Sequence, residues 1–183
     1  MNSATTRVLS ALVLLPALLA LIWWAPSRVF ELTLFAFVLP VAFTELRKLV
    51  TPVWATVLAA IPYLVAPLAM MAFIRRDYGP GALMMMIGVI VVSDSAQYYT
   101  GRAFGRRKLA PVISPKKTVE GAIGGAIIAT IAGVLFARLW LPEAPMGAAA
   151  IASLAMAIAG MAGDLFESAL KRRRRGNVIR LKV

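Results

Sequence analysis

Residues 121–141 read GAIGGAIIATIAGVLFARLWL, an apolar run with Arg138 as its single charged residue. About 20 apolar residues in a helix cross the hydrocarbon core of a bilayer, so this run predicts a transmembrane helix. The remainder of the chain has the same character. Of its 183 residues 61% are hydrophobic and the mean hydropathy is +0.81, whereas soluble domains are about 45–50% apolar. The sequence therefore predicts an integral membrane protein.

Five more apolar segments complete an all-α, polytopic fold with about six membrane-spanning helices. They cover residues 8–24, 29–44, 53–73, 82–104 and 146–162. The third segment contains Pro62 and Pro67, which membrane helices tolerate because neighbouring groups satisfy the freed backbone. The first segment has a second interpretation as a secretory signal peptide.

The distribution of charge predicts the orientation of these helices. With six spans, 16 of the 20 Lys and Arg residues fall on one side of the membrane and 4 on the other. Cytoplasmic loops carry the excess of positive charge. We therefore expect both termini, and the polar loops on their side, to face the cytoplasm from the cell inner or plasma membrane.

The chain contains no His and no Cys, which excludes several kinds of active site. Serine–histidine and cysteine–histidine nucleophile systems, HExxH zinc sites and iron–sulfur clusters all need one of these residues. Chemistry must rely on carboxylates, cations, hydroxyls and a hard metal ion, a combination that suits phosphate groups. Nucleic acid is not an expected partner, because the cations are interleaved with bilayer spans.

Asp94 is the first polar residue that stands out inside an apolar segment. A carboxylate near the centre of a membrane helix costs about 2.5–3.5 kcal/mol on insertion scales and marks function by default. Helical spacing places Gln97, Tyr98 and Gly101 on the same face. The competing interpretation is an Asp that caps the helix or reaches the interface. Gly101 and Gly105 form a GxxxG pattern, which is typical of helix packing.

A polar loop, residues 106–121, follows this segment. Pro111 and Pro115 predict a non-helical backbone. The loop carries Ser114, Lys116, Lys117 and Thr118 directly before a glycine-rich helix start. Backbone N–H groups at such a start favour phosphate. The alternative is simple adhesion of the cations to anionic lipid headgroups.

A third polar group lies at the end of the last apolar segment. Asp164, Glu167, Ser168 and Lys171 are spaced i, i+3, i+4 and i+7, so one helix face carries them all. Two carboxylates three residues apart are suited to Mg²⁺, which binds few protein ligands together with water and substrate phosphates. An ordinary amphipathic helix end with Glu–Lys pairing is the alternative.

Two stretches together closely resemble the phosphatidate cytidylyltransferases, also called CDP-diacylglycerol synthases. The first contains Ser93-Asp94-Ser95, Gly101, Gly105, Lys108-Leu109-Ala110-Pro111, Ser114-Pro115, Lys117-Thr118 and Glu120-Gly121, and the second contains Gly163-Asp164-Leu165, Glu167-Ser168 and Lys171-Arg172. Neither is specific alone; their order between membrane spans is. The resemblance implies N-terminal transmembrane helices over residues 1–80 and a partial cytidylyltransferase catalytic region over residues 81–183.

The resemblance also implies a reaction and roles. CTP and phosphatidic acid would react with Mg²⁺ to give CDP-diacylglycerol and pyrophosphate in phospholipid biosynthesis. The implied catalytic residues are Asp94, Lys117, Asp164, Glu167 and Lys171, with Asp164 and Glu167 on the metal. The implied substrate-binding residues are Ser114, Lys116, Thr118, Ser168 and Arg172. Anionic membrane lipid is a further expected partner.

The match departs from the family at the C-terminal end. The family continues with Lys-Asp, where this chain has Asn177–Val178, and then with His-Gly-Gly, which a chain without His cannot contain. The resemblance therefore implies a member that lacks part of the family's active site, either inactive as this truncated chain or completed by a second copy in a homodimer. A CTP-dependent polyprenol or phytol kinase and a non-catalytic membrane subunit are the alternatives.

Overall fold

We describe the protein from a computed structural model. It describes the backbone of residues 3–49 and 64–180, and the side chains of residues 12–44, 47, 64–170 and 172. The chain divides into two compact units, Met1–Leu83 and Met84–Val183. The division into functional regions at residue 80 stays a prediction.

The N-terminal unit contains four α-helices in its described parts. They are α1 (Ser3–Trp24), α2 (Ser27–Thr33), α3 (Leu39–Leu49) and α4 (Ala66–Asp77), and a π-helical turn, Leu34–Val38, joins α2 to α3. Arg75 of α4 is 8% exposed and donates hydrogen bonds to the carbonyl oxygens of Ile22 (2.6 Å) and Ala25 (2.9 Å). These carbonyls end α1 without a helical partner, so Arg75 caps the helix.

The second unit consists of three long helices and a small β-hairpin. Helix α5 (Gly79–Phe104), which begins in the N-terminal unit, is followed by strands β1 (Lys108–Ala110) and β2 (Ser114–Thr118), then by α6 (Val119–Trp140) and α7 (Met146–Arg180). The strands are antiparallel and pair Lys108 with Thr118 and Ala110 with Ser114. The hairpin lies within the loop for which the two prolines predict a non-helical backbone.

Alanines of α6 and α7 and two larger residues of α5 form the buried core of this three-helix unit. Its buried cluster contains Met85 and Val89 from α5, Ala129 and Ala137 from α6, and Ala149 and Ala157 from α7. Close approach through small side chains is typical of membrane helices. Lipid tails are as apolar as the side chains, so the hydrophobic effect does not drive the helices together, and they associate through close packing instead. Beyond the core, Ile127, Ile131, Leu135 and Leu139 of α6 are all more than half exposed, as expected for side chains that face lipid.

The all-α, polytopic membrane fold is confirmed, with the hairpin as a small addition. Among the described residues, four helical stretches are long and apolar enough to cross a membrane: Ser27–Thr44, Gly79–Phe104, Val119–Trp140 and Met146–Leu170. They correspond to the second, fourth, fifth and sixth predicted spans. The first predicted span, residues 8–24, lies within α1 (Ser3–Trp24), and its described side chains begin at Leu12. The third lies partly outside the described residues, so the count of six stays a prediction.

Candidate functional site

Glycines bring the ends of α5 and α6 into direct contact. A side chain at Gly121 of α6 would place its Cβ 2.8 Å from the backbone oxygen of Gln97 and 3.0 Å from the Cα of Gly101, both on α5. At Gly125 a Cβ would meet the side chain of Gln97. Gly101 of the GxxxG pattern therefore packs against α6, as predicted, and a second such pattern at Gly121 and Gly125 faces α5. Gly105 follows the end of α5 and lies against Thr118.

The hairpin is fixed to this crossing by the first residues of α6. Thr118 is buried and is the N-cap of α6, where its Oγ1 accepts a hydrogen bond from the N–H of Gly121 (3.1 Å). Its hydroxyl also lies against Gly101, where an added Cβ would be 2.8 Å from the Oγ1. Capping by threonine satisfies one of the unpaired N–H groups at a helix start. Thr118 therefore positions the end of β2 directly above the helix crossing.

Glu120 holds the other end of the loop. Its Oε2 accepts hydrogen bonds from the N–H of Arg106 (3.0 Å) and of Arg107 (3.2 Å), and its Oε1 accepts one from Arg107 (3.2 Å). The carbonyl of Arg107 accepts from the N–H of Val119 (2.9 Å). One carboxylate therefore binds the backbone of the segment that leads into β1. These bonds hold the backbone of the hairpin, which carries the lysines, in a fixed position.

An ion pair joins the hairpin to α7. The Nζ of Lys117 lies 2.7 Å from the Oδ2 of Asp164, and the side chains are 23% and 46% exposed. The two residues are separated by 47 positions in the chain. The cation of the loop motif and the first carboxylate of the α7 motif are thus neighbours, as the resemblance implies for a shared site.

These elements enclose a cavity of about 510 Å³, a size typical of small-ligand sites. The charged residues around it are Asp94 and Arg102 from α5, Lys108, Lys116 and Lys117 from the hairpin, and Asp164 from α7. Gln97, Tyr98 and Thr118 also line it. Four cations and two carboxylates converge, a net positive charge suited to a polyphosphate together with a cation.

The two carboxylates are compatible with Mg²⁺. Asp94 lies within electrostatic range of both Asp164 and Lys117. No group of three or more acidic, His or Cys side chains that could hold a metal occurs among the described residues. Mg²⁺ commonly uses one or two carboxylates and completes its shell with water and substrate phosphates. Asp94 and Asp164 on one cavity meet that requirement.

The structure brings together half of the predicted site residues. Asp94, Lys116, Lys117, Thr118 and Asp164 line the cavity. The others that the structure describes do not line it: Ser114, Glu167, Ser168 and Arg172. The side chain of Lys171 is outside the described residues. The roles of all ten residues stay predictions.

Four further polar side chains line the cavity and are not among the predicted site residues. Gln97 and Tyr98 were predicted only as neighbours of Asp94 on its helix face, Lys108 occurs only among the residues that carry the family resemblance, and no role was predicted for Arg102. Arg102 is one turn beyond Tyr98 and donates a hydrogen bond to its hydroxyl (3.3 Å). The i, i+4, i+8 spacing from Asp94 was the signal that would have identified Tyr98 and Arg102.

Comparison with known proteins gives consistent matches. The model of the cytidylyltransferase family matches residues 2–175. A phosphatidate cytidylyltransferase of Bacillus subtilis (strain 168) is 40% identical over 96 residues, 52% of this chain and 36% of that protein. One from Brucella suis biovar 1 (strain 1330) is 39% identical over 104 residues, 56% of this chain and 38% of that protein.

A phosphatidate cytidylyltransferase of Aquifex aeolicus (strain VF5) is 40% identical over 90 residues, 49% of this chain and 33% of that protein. The matched segments thus span 33–38% of the length of these curated relatives. The family model, in contrast, covers most of this chain, including all five predicted residues that line the cavity. The chain therefore belongs to the cytidylyltransferase family.

Proposed function

We propose that this chain transfers the cytidylyl group of CTP to phosphatidate, which gives CDP-diacylglycerol and pyrophosphate. The observation that carries the proposal is the cavity in which Lys116 and Lys117 meet Asp94 and Asp164. Membership of the cytidylyltransferase family and the names of the curated relatives support the nucleotide and the lipid.

The proposed reaction does not require a histidine or any other general base. The nucleophile is an oxygen of the lipid phosphate, which is largely dianionic at pH 7 because the second pKa of a phosphate monoester is about 6. This oxygen forms a bond to the α-phosphorus of CTP. The bond from that phosphorus to the bridging oxygen breaks, and its electron pair leaves with pyrophosphate. No proton has to be removed from the nucleophile.

Catalysis in this proposal consists of positioning and charge neutralisation. Lys116 and Lys117 are adjacent on β2 and bind the phosphates of CTP. Thr118 accepts a hydrogen bond from Gly121 through its oxygen, so its own proton remains to be donated to a phosphate oxygen. Arg102 on α5 and Lys108 on β1 add positive charge to the cavity.

Asp164, with Asp94 beside it, holds Mg²⁺ in this proposal. When bound, the ion supplies charge for the phosphate oxygens and orients the pyrophosphate leaving group. Asp164 already contacts a cation, the ammonium of Lys117 at 2.7 Å. When the nucleotide binds with Mg²⁺, the ion would replace Lys117 as the partner of Asp164, and Lys117 would bind a phosphate instead. Glu167, Ser168, Lys171, Arg172 and Ser114 stay predicted contributors.

The proposed orientation places the cavity on the cytoplasmic side, where CTP is available. Six of the 14 Lys and Arg residues of the second unit lie at positions 102–117, at the end of α5 and in the hairpin, in agreement with the positive-inside rule. Attack by a membrane lipid also requires a site at the interface, and the cavity lies at the end of the apolar α5. Homodimer formation is part of the proposal and is tested by the mass of the purified chain in nanodiscs.

A turnover assay with matched variants tests the proposal. The purified chain in lipid vesicles should convert phosphatidate and CTP to CDP-diacylglycerol with Mg²⁺. Lys117→Ala and Asp164→Asn should each reduce kcat at least 100-fold, since removal of one charge-stabilising group typically costs about that much. The exposed pair Arg76 and Asp77, at 3.8 Å, supplies the controls Arg76→Ala and Asp77→Asn, which should retain turnover.

Two outcomes contradict the proposal. If the wild-type chain forms no CTP-dependent lipid product, the activity is refuted for this chain. If it forms the product but Lys117→Ala and Asp164→Asn turn over as the controls do, the reaction takes place elsewhere and the assigned cavity is wrong.

A further inference from the structure

A second cavity lies beside the proposed catalytic one and shares only Gly105 with it. Its volume is about 610 Å³, and its lining includes Arg106, Arg107, Phe104 and Ile123. Phe104 is 69% exposed and Ile123 is 56% exposed. Basic and apolar side chains are therefore combined at the end of a membrane helix, outside the site with Asp94 and Lys117.

The backbone that carries the two arginines is held in place. Their N–H groups bond to the carboxylate of Glu120, as described above. Among the residues that the structure describes, neither guanidinium donates a hydrogen bond or forms an ion pair. Two cations against one carboxylate leave a net positive charge, and both oxygens of that carboxylate already accept backbone hydrogen bonds.

An apolar groove continues from this cavity along α6. It shares Ile123 with the cavity, has a volume of about 390 Å³ and is lined by Ala126, Ile127, Thr130, Ile131 and, from α7, Leu154. Ile123, Ile127 and Ile131 are spaced i, i+4 and i+8, so they form one stripe about 12 Å long at 1.5 Å per residue. A basic pocket therefore opens into an apolar channel directed along the membrane helix.

We propose that this cavity and groove form a binding site for an anionic phospholipid of the surrounding bilayer. The phosphate of the headgroup binds Arg106 and Arg107, and one acyl chain lies along Ile123, Ile127 and Ile131. Charge complementarity selects an anionic over a zwitterionic lipid, because juxtamembrane cations attract anionic headgroups. The site is separate from the cavity that holds Lys117, and its existence does not depend on the proposed reaction.

Native mass spectrometry of the purified chain, titrated with palmitoyl-oleoyl phosphatidylglycerol or phosphatidylcholine, tests this site. Arg106→Gln with Arg107→Gln should weaken binding of phosphatidylglycerol about thirtyfold, which corresponds to about 1 kcal/mol for each cation, and should remove the preference over phosphatidylcholine. Arg28→Gln with Arg76→Gln removes the same charge from exposed positions and should retain wild-type binding. If both double variants weaken binding equally, attraction is diffuse and the site is refuted.

A substitution in the groove tests the placement of the acyl chain. Ile127→Trp fills the groove and should weaken binding about fifteenfold, which corresponds to the loss of two methylene contacts at about 0.8 kcal/mol each. Ile151→Trp is the control, because Ile151 of α7 is 73% exposed and does not line the groove. Lys117→Ala should leave binding of phosphatidylglycerol unchanged. Wild-type binding by Ile127→Trp, or loss of binding in Lys117→Ala, would overturn the proposal.

Discussion

The contact between α5 and α6 at Gly121 predicts a large effect of a single methyl group. In Gly121→Ala the new Cβ would lie 2.8 Å from the backbone oxygen of Gln97 and 3.0 Å from the Cα of Gly101. Both neighbours are backbone atoms, so the helices must separate by several tenths of an ångström. Overpacking of this kind typically costs about 1–3 kcal/mol. Alanine's advantage in helix propensity offsets little of this, because Gly121 lies in the first turn of α6.

The free energy of unfolding, measured by SDS titration of the purified chain in mixed micelles, checks this magnitude. Gly160→Ala is the matched control, because no atom lies within 4 Å of the position that its Cβ would take. That variant should be unchanged or stabilised by up to about 1 kcal/mol. Gly121→Ala should be about 1–3 kcal/mol less stable than wild type and should lose turnover, since Thr118 and Lys117 shift relative to Asp94. Equal stability of the two variants would show that the backbones of α5 and α6 do not meet at Gly121.

Three further predictions concern polar contacts. Glu120→Gln should speed hydrogen exchange at the two amides that the carboxylate binds, measured by NMR, because one acceptor becomes a donor; unchanged exchange would contradict the described role. Arg75→Met leaves two helix-end carbonyls unpaired and should reduce the free energy of unfolding by about 1–3 kcal/mol, whereas Arg76→Met should change it little. A double-mutant cycle on Lys117 and Asp164 should give a coupling energy of about 0.5–1 kcal/mol, and a value near zero would show that the pair does not form.

Helix periodicity predicted the parts of the structure in which one face meets lipid or another helix. The apolar runs became α5, α6 and α7, and the glycines at positions 101, 121 and 125 mark the contact between α5 and α6. That Asp94, Lys117 and Asp164 act in one site was expected only from the family resemblance. Only the tertiary structure shows that they line one cavity. The three residues lie on three different elements, and the distances between these elements cannot be read from the sequence.

The same periodicity did not predict where the cavity ends on α7. Glu167 and Ser168 share the face of Asp164, yet they lie one turn further along the axis, about 5.4 Å away, and only Asp164 lines the cavity. The hairpin was missed for a different reason: its strands contain Pro115 and several cations, which a strand pattern does not favour. Cross-strand pairing and the bonds to Glu120 override that preference.

In the proposed reaction the α-phosphorus of CTP is transferred to lipid. The most direct measurement follows ³²P from CTP labelled at the α or the γ position into the lipid fraction, with the purified chain, phosphatidate and Mg²⁺. The α label should appear in CDP-diacylglycerol, the γ label should be released in pyrophosphate, and Asp164→Asn should form neither labelled product. Transfer of the γ label to lipid with release of CDP would contradict this reaction and would indicate a kinase.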